Sequence, residues 1–346
     1  MCKRPMKGFI LGTYMSDGKR KKELKIVPYE VDYIRRIGDR YIPTTGKLRD
    51  QSCDEIFTDF VEIPCGSCLD CRLAYSRSWA ERCLVEVPYH DTAFFLTLTY
   101  DDEHLPSREN INPDTGEITV AHSLEPRDLQ LFWKRLRKHY AGYRISYFAC
   151  GEYGSSTARP HYHAIVYGMP LEDLSLYKQS AEGNNYYNSA TLDRLWGNGF
   201  VVVGDVTYQS AAYTARYCLK KQVGKVARED TYLKNGLLPE FTRMSTRPAI
   251  GRQFYEDHKH ELYTLDSVSI ATPSGGRKIR SNKYYDKLYE TEFPEDYERI
   301  KECRRARAEA NREIKMSYTD KTYLEQLETE LENLESKFQN LRRKEL

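Results

Sequence analysis

Two β-prone runs, residues 144–150 and 159–167, flank the short segment Gly-Glu-Tyr-Gly-Ser-Ser-Thr-Ala. That arrangement predicts an antiparallel hairpin and commits this part of the chain to a sheet. The second run reads His-Tyr-His-Ala-Ile-Val-Tyr from residue 161. Side chains alternate along a strand, so His161 and His163 share a face and can meet one metal ion. Tyr162 then points the other way, into packing. If the two runs pair, Glu152 at the end of the first lies close to His161 at the start of the second.

Helix and strand signals extend the pattern on both sides. Residues 72–87 have helical periodicity, with Leu73, Trp79, Cys83 and Leu84 on one broad face. Residues 93–100 are β-rich, and 101–116 are polar and read as a loop. Residues 126–140 form an amphipathic helix with Leu129, Phe132, Trp133 and Leu136 inward and Pro126 in its first turn. A short helix at 191–196, a strand at 200–206 and a helix at 209–222 follow. The order β-α-β-β-α-β-α is that of a split βαβ unit: an α+β fold with an antiparallel sheet and helices on one face. The expected domains are a basic N-terminal lobe (1–88), a core domain (89–225), a mixed accessory region (226–300) and a C-terminal helix (301–346). Residues 1–60 read as irregular, with short strand-like pieces such as 25–29.

Tyr213 and Tyr217 stand four apart in the last of these helices, on one face, and Lys220 falls two turns beyond Tyr213. The chain holds 28 Tyr, so such pairs arise by chance. The elements around this one give it weight. A divalent metal on a strand beside paired tyrosines on a helix suits attack of a phenol oxygen on a DNA phosphodiester. Histidines with a carboxylate fit Mg²⁺ or Mn²⁺ when phosphate and water fill the other positions. A second cluster, Cys65, Cys68 and Cys71, has C-x2-C-x2-C spacing, which can converge on a structural Zn²⁺ given a fourth ligand. Cys2 and Cys53 are the spare candidates. The same spacing occurs in iron–sulfur proteins, and three free thiols in a turn is the plain alternative. Cys83, Cys150, Cys218 and Cys303 read as packed or helical positions.

Net charge is only +2, so overall basicity does not advertise nucleic-acid binding. Charge is unevenly spread: residues 1–49 include Lys19-Arg20-Lys21-Lys22, while 286–346 carry many Glu. No apolar run approaches the roughly 20 residues that span a bilayer, and the N-terminus lacks a signal-like apolar segment. These features predict no membrane partner and a place in a reducing cytoplasm, where nine Cys serve as thiols or metal ligands. Leu324, Leu327, Leu331, Leu334, Phe338 and Leu341 alternate steps of three and four. This seam offers self-association or a partner helix through residues 317–346, or equally an amphipathic helix folded back on the body.

Several blocks resemble the HUH endonucleases that initiate rolling-circle replication, and within them the initiators of small single-stranded DNA phages, the gokushovirus branch of the microviruses. The blocks are Pro-Cys-Gly-Ser-Cys-Leu-Asp-Cys-Arg (64–72), Phe-Leu-Thr-Leu-Thr-Tyr-Asp-Asp-Glu-His-Leu-Pro (95–106), Phe-Ala-Cys-Gly-Glu-Tyr-Gly (148–154), Arg-Pro-His-Tyr-His-Ala-Ile-Val-Tyr-Gly (159–168), the two-tyrosine helix, and Arg-Pro-Ala-Ile-Gly (247–251). The resemblance implies that His161 and His163 bind the catalytic metal and that Glu152 is the acidic ligand. It implies that Tyr213 and Tyr217 are nucleophiles, since the pattern YxxxYxxK matches Tyr213, Tyr217 and Lys220. It also favours Cys2 as the fourth zinc ligand. Implied partners are single-stranded origin DNA and the replication machinery of a bacterial host, in whose cytoplasm the chain would act. Arg159 could contact DNA phosphate, and Tyr153 could stack on a base. A plasmid relaxase or single-strand transposase would share the metal–tyrosine pattern. A non-enzymatic zinc DNA-binding protein and a coiled-coil scaffold are alternatives of other classes.

Overall fold

The computed structural model describes residues 2–16, 19–47, 53–111, 116–154, 157–180, 183–220, 231–272 and 275–344, without the side chains of 16, 19–21, 216–220 and 339–344. It divides into two compact units, residues 1–74 with 308–346, and residues 75–307.

The first unit is regular where the sequence suggested irregularity. Strands β1 (Met6–Ser16), β2 (Lys19–Pro28), β3 (Tyr33–Ile37), β4 (Arg40–Thr44), β5 (Glu55–Phe57) and β6 (Phe60–Ile63) form two three-stranded sheets, β2-β1-β6 and β4-β3-β5. Phe9, Val27, Ile34 and Phe57 make their core. Gly8 is required in β1, because a Cβ there would lie 2.5 Å from the Ile63 side chain.

The second unit is built on a seven-stranded sheet. In chain order its elements begin with α1 (Leu69–Glu86, whose first turns belong to the first unit), β7 (Ala93–Thr99), β8 (Ser107–Ile111), β9 (Ile118–His122) and α2 (Pro126–His139). Then come β10 (Ser146–Tyr153), β11 (Pro160–Tyr167), β12 (Leu174–Gln179), β13 (Asn185–Ser189), α3 (Ala190–Trp196), β14 (Val201–Asp205), α4 (Tyr208–Lys220) and β15 (Phe241–Met244). The sheet order is β12-β13-β14-β7-β11-β10-β15, and every pairing is antiparallel. The central four strands, β14-β7-β11-β10, have the order of a split βαβ unit, as expected.

Helix α2 forms for local reasons. Pro126 opens it, the Glu125 side chain accepts the Arg127 N–H, Asp128 sits in the first turn, and Arg137, Lys138 and His139 sit in the last. Leu129, Phe132, Trp133 and Leu136 are all buried, each contributing about 1.5–3 kcal/mol over exposure. They pack with α3 on the face of the sheet that carries Leu96, Leu98, Tyr162, Ala164 and Val166.

The opposite face corrects the expectation of helices on one side only. Phe95, Ile165 and Tyr167 there pack against Ala80 and Cys83 of α1 and Ala211 and Ala215 of α4. Small residues let these helices lie close, so neither advertises its burial as a stripe of large apolar groups. The expected loop at 101–116 is likewise corrected, since β8 pairs with β9 as a hairpin.

Residues 231–307 add α5 (Arg252–Thr264), the hairpin β16 (Val268–Thr272) with β17 (Gly275–Ile279), α6 (Lys283–Glu292) and the start of α7 (Pro294–Met316) around a tyrosine-rich core. The block 247–251 docks this core onto α1. The Ile250 carbonyl accepts two hydrogen bonds from Arg82, and Gly251 N–H donates to Glu86 Oε2 at 2.6 Å.

The last helix, α8 (Tyr323–Lys344), belongs to the first unit. Its seam positions Leu327 and Leu331 are buried within the folded chain, and Glu330 pairs with Lys3 at 2.6 Å. This is the folded-back alternative. The side chain of Leu341 lies outside the described residues.

Candidate metal and nucleophile site

The hairpin register sets the site. β10 and β11 pair Glu152 with His161 and Cys150 with His163, so the carboxylate and both imidazoles stand on the face covered by α1 and α4. Glu152 and His163 are buried and His161 is partly open. His161 Nε2 lies 2.7 Å from Glu152 Oε1, and His163 Nε2 lies 3.3 Å from the same oxygen. One ligand atom from each residue falls within 4.8 Å of the others. Burial opposes the Glu152 carboxylate, but hydrogen bonds and charge from His161 and His163 outweigh it and hold the group below the ordinary carboxylate range.

Each imidazole is also anchored from behind. His163 Nδ1 lies 3.0 Å from Thr97 Oγ1, and His161 Nδ1 lies 3.1 Å from the Arg159 carbonyl. Such contacts fix ring orientation and leave the other nitrogen for a ligand. Phe95 stacks on His163 at 5.5 Å. Thr97 and Phe95 were not singled out in the sequence. Their place depends on β7 pairing with β11, where Thr97 lies opposite His163, and no local spacing announces that partnership.

Helix α4 brings the first tyrosine in. Thr207 and Ser210 cap it reciprocally, with Thr207 N–H to Ser210 Oγ at 2.8 Å and Ser210 N–H to Thr207 Oγ1 at 3.1 Å. Ala211, Thr214 and Ala215 face the sheet and are fully buried. Tyr213 stands at their flank, 41% exposed, with its ring edge against His163 at 5.1 Å. Tyr217 follows one turn later and Lys220 ends the helix. Their side chains, and that of Cys218, lie outside the described residues.

His161, His163, Thr97 and Tyr213 line a cleft of about 1040 Å³, with Lys178 and Tyr186 on its far wall. That wall is the hairpin of β12 and β13, which the sequence reading passed over. Arg159 pairs with the exposed Asp102 at 2.7 Å and donates to the Tyr100 carbonyl. Tyr153 faces away from the cleft and donates to the Leu238 carbonyl at 2.7 Å, so it packs and offers no stacking face to a base. Tyr162 is buried as expected, hydrogen-bonded to Tyr100 and Glu125.

The donor set fits a hard divalent ion. Two neutral nitrogens and one carboxylate oxygen at a cleft leave further positions for phosphate and water.

The first unit holds the cysteine cluster. Cys65-Gly66-Ser67-Cys68 turns tightly, with Gly66 at φ +73° and Cys68 N–H directed at Cys65 Sγ. Cys71 follows in the first turns of α1. Cys2 Sγ lies 3.6 Å from Cys65 Sγ and 3.9 Å from Cys68 Sγ. Tetrahedral sulfurs about 2.3 Å from zinc are about 3.8 Å apart, so the spacing fits that ion. The group of four is Cys2, Cys65, Cys68 and Cys71, and Cys53 lies outside it. Burial works against the Cys65 thiolate, but N–H groups of Cys68 and Ser67 and the Ser67 hydroxyl outweigh it and lower its pKa to about 6. Burial pushes the thiols of Cys2 and Cys71 up.

Among the described residues, no helix is long and apolar enough to cross a membrane. A family model described as a replication-associated protein of the ORF2 type matches residues 93–222. The replication-associated protein ORF2 of Spiroplasma virus 4 is 36% identical over 241 residues, covering 68% of this chain and 70% of that protein. The replication-associated protein VP4 of Bdellovibrio phage phiMH2K is 31% identical over 242 residues, covering 68% and 70%. The replication-associated protein ORF4 of Chlamydia phage 1 is 33% identical over 171 residues, covering 46% and 39%. No solved structure matches the chain.

Proposed function

The chain belongs to the family of replication-associated proteins of microviruses, and from that premise we propose that it initiates rolling-circle replication as a metal-dependent HUH endonuclease and strand transferase on single-stranded origin DNA. One observation carries the reading: Glu152, His161 and His163 converge on a cleft into which α4 presents Tyr213. Residues 89–225 are the catalytic part in this reading.

Glu152, His161 and His163 hold Mg²⁺ or Mn²⁺, which supplies charge neutralisation and orientation of the scissile phosphate. Thr97 and the Arg159 carbonyl keep the imidazoles turned towards the cleft. The phenol oxygen of Tyr213 or Tyr217 attacks phosphorus and loses its proton. The P–O3′ bond breaks, and the 3′ oxygen leaves and takes up a proton. A 5′-phosphotyrosine and a free 3′-OH result. Lys220 stabilises the phenolate or phosphate charge, and Arg159 exchanges Asp102 for a flanking phosphate. The released 3′-OH primes a polymerase of the bacterial host, in whose cytoplasm the protein acts. Because the phosphotyrosine keeps the bond energy, a later 3′-OH can attack it and close a circle without ATP. The second tyrosine allows one to hold the displaced strand while the other cuts the regenerated origin.

The cysteine cluster holds a structural Zn²⁺ through Cys2, Cys65, Cys68 and Cys71, supported by the sulfur spacing. The test of the tyrosine roles is a circle-forming assay. Tyr213→Phe and Tyr217→Phe should each cleave once and fail at the coupled second transfer, and the double variant should lose both. Complete circle formation by either single variant would establish a single nucleophile instead.

A further inference from the structure

Strands β12 and β13 lie outside the split βαβ core, yet they extend the floor of the cleft. The register carries the facing across the sheet. Lys178 pairs with Tyr186, Tyr186 with Gly204, Gly204 with Phe95, and Phe95 with Ile165. Directly opposed residues share a face, so Lys178 and Tyr186 stand on the side that carries His161 and His163. Gly204 puts no side chain there. A Cβ at Gly204 would lie 3.5 Å from Tyr186 Cδ1 and 3.7 Å from Phe95 Cδ1, so two rings border a bare strip of sheet. Lys178 Nζ lies 5.6 Å from the ring centroids of both Tyr177 and Tyr186. Tyr177 is 56% exposed at the rim.

A lysine on an edge strand can serve merely to discourage pairing with another sheet. That purpose needs neither a ring on each side of the ammonium nor a glycine gap leading back to the site. We propose that this hairpin seats an unpaired base of the bound DNA strand, with the base stacked on Tyr186 and an adjoining phosphate paired with Lys178. Cations interleaved with aromatic faces suit a single strand, whose bases are free to stack on protein. A duplex keeps those faces against its own neighbours. β13 is three strand spacings from β11, about 14 Å. The seated base is therefore a few nucleotides from the scissile phosphate, not next to it. The inference rests on reading the cleft as a DNA-nicking site and adds where that site grips its strand.

The test measures binding by the full chain without added Mg²⁺ or Mn²⁺, so cleavage plays no part. The probes are fluorescein-labelled oligothymidylate and a duplex of equal length, read by fluorescence anisotropy. Tyr186→Ala should weaken oligothymidylate binding about ten-fold and leave duplex binding unchanged, while Tyr186→Phe should bind as the parent does. Lys178→Ala, at an exposed edge position, should reduce the slope of log affinity against log salt by about 0.7. Parent-like binding by Tyr186→Ala, equal losses on both probes, or Phe losing as much as Ala would overturn the seat. An unchanged salt slope for Lys178→Ala would overturn the phosphate contact. Failure of the parent protein to nick origin DNA would remove the reading of the cleft and leave these binding outcomes standing.

Discussion

Four sulfurs meet in the first unit, whereas one carboxylate and two imidazoles meet on the sheet of the second. The sulfur cluster is held by a tight turn, the start of α1 and the residue before β1, and its donor number equals what tetrahedral zinc takes. The other cluster offers three donors at a cleft, with a tyrosine ring against one of them. The contrast is the one between a closed structural site and an open chemical one. A saturated ion ties chain segments together, while an ion with positions to spare can meet a substrate.

The largest expected effect would sharpen that contrast. Cys65→Ser or Cys68→Ser should release zinc and remove metal-binding free energy on the order of 10 kcal/mol from the first unit. Elemental analysis and thermal melting check this, and full zinc content in both variants would break it. At the other cluster, His161→Ala or His163→Ala should bring metal-dependent nicking to background while zinc content stays at the parent level. Near-normal cleavage by both at limiting Mn²⁺ would remove the open site. Glu152→Gln should raise the Mn²⁺ needed for half-maximal nicking by about 100-fold, and an unshifted titration would drop it from the ligand set. Thr97→Val, which loses only the anchor behind His163, should cost about 10-fold in the same titration. Equal titrations for Thr97→Val and the parent would show that Phe95 packing alone orients the ring.

The two clusters also differ in how far the sequence exposed them. The His-Tyr-His run and Glu152 were legible because hairpin pairing and strand alternation are local rules, and the register pairs Glu152 with His161. Helix α2 was legible because four large apolar residues recur at helical spacing and all are buried. Local rules failed for pieces that draw stability from partners distant in sequence. β12 is almost wholly exposed and carries no alternation, so Lys178 and Tyr186 passed unnoticed. Thr97 and Phe95 acquire their roles only when β7 pairs with β11. Helices α1 and α4 meet the sheet through Ala80, Ala211 and Ala215, whose small side chains give a weak stripe. In the first unit the C-x2-C-x2-C spacing named three ligands from local sequence. Cys2, 63 residues from Cys65, was favoured by family resemblance and not by spacing.

The most direct test of the central claim is mass spectrometry of the protein after incubation with single-stranded origin fragments and Mn²⁺. The account predicts a DNA 5′-phosphate joined to Tyr213 or Tyr217, formed only with the divalent ion, and a companion fragment whose 3′-OH a polymerase can extend. Cleaved DNA without an adduct, an adduct on any other residue, or an adduct formed equally well without added divalent ion would contradict it.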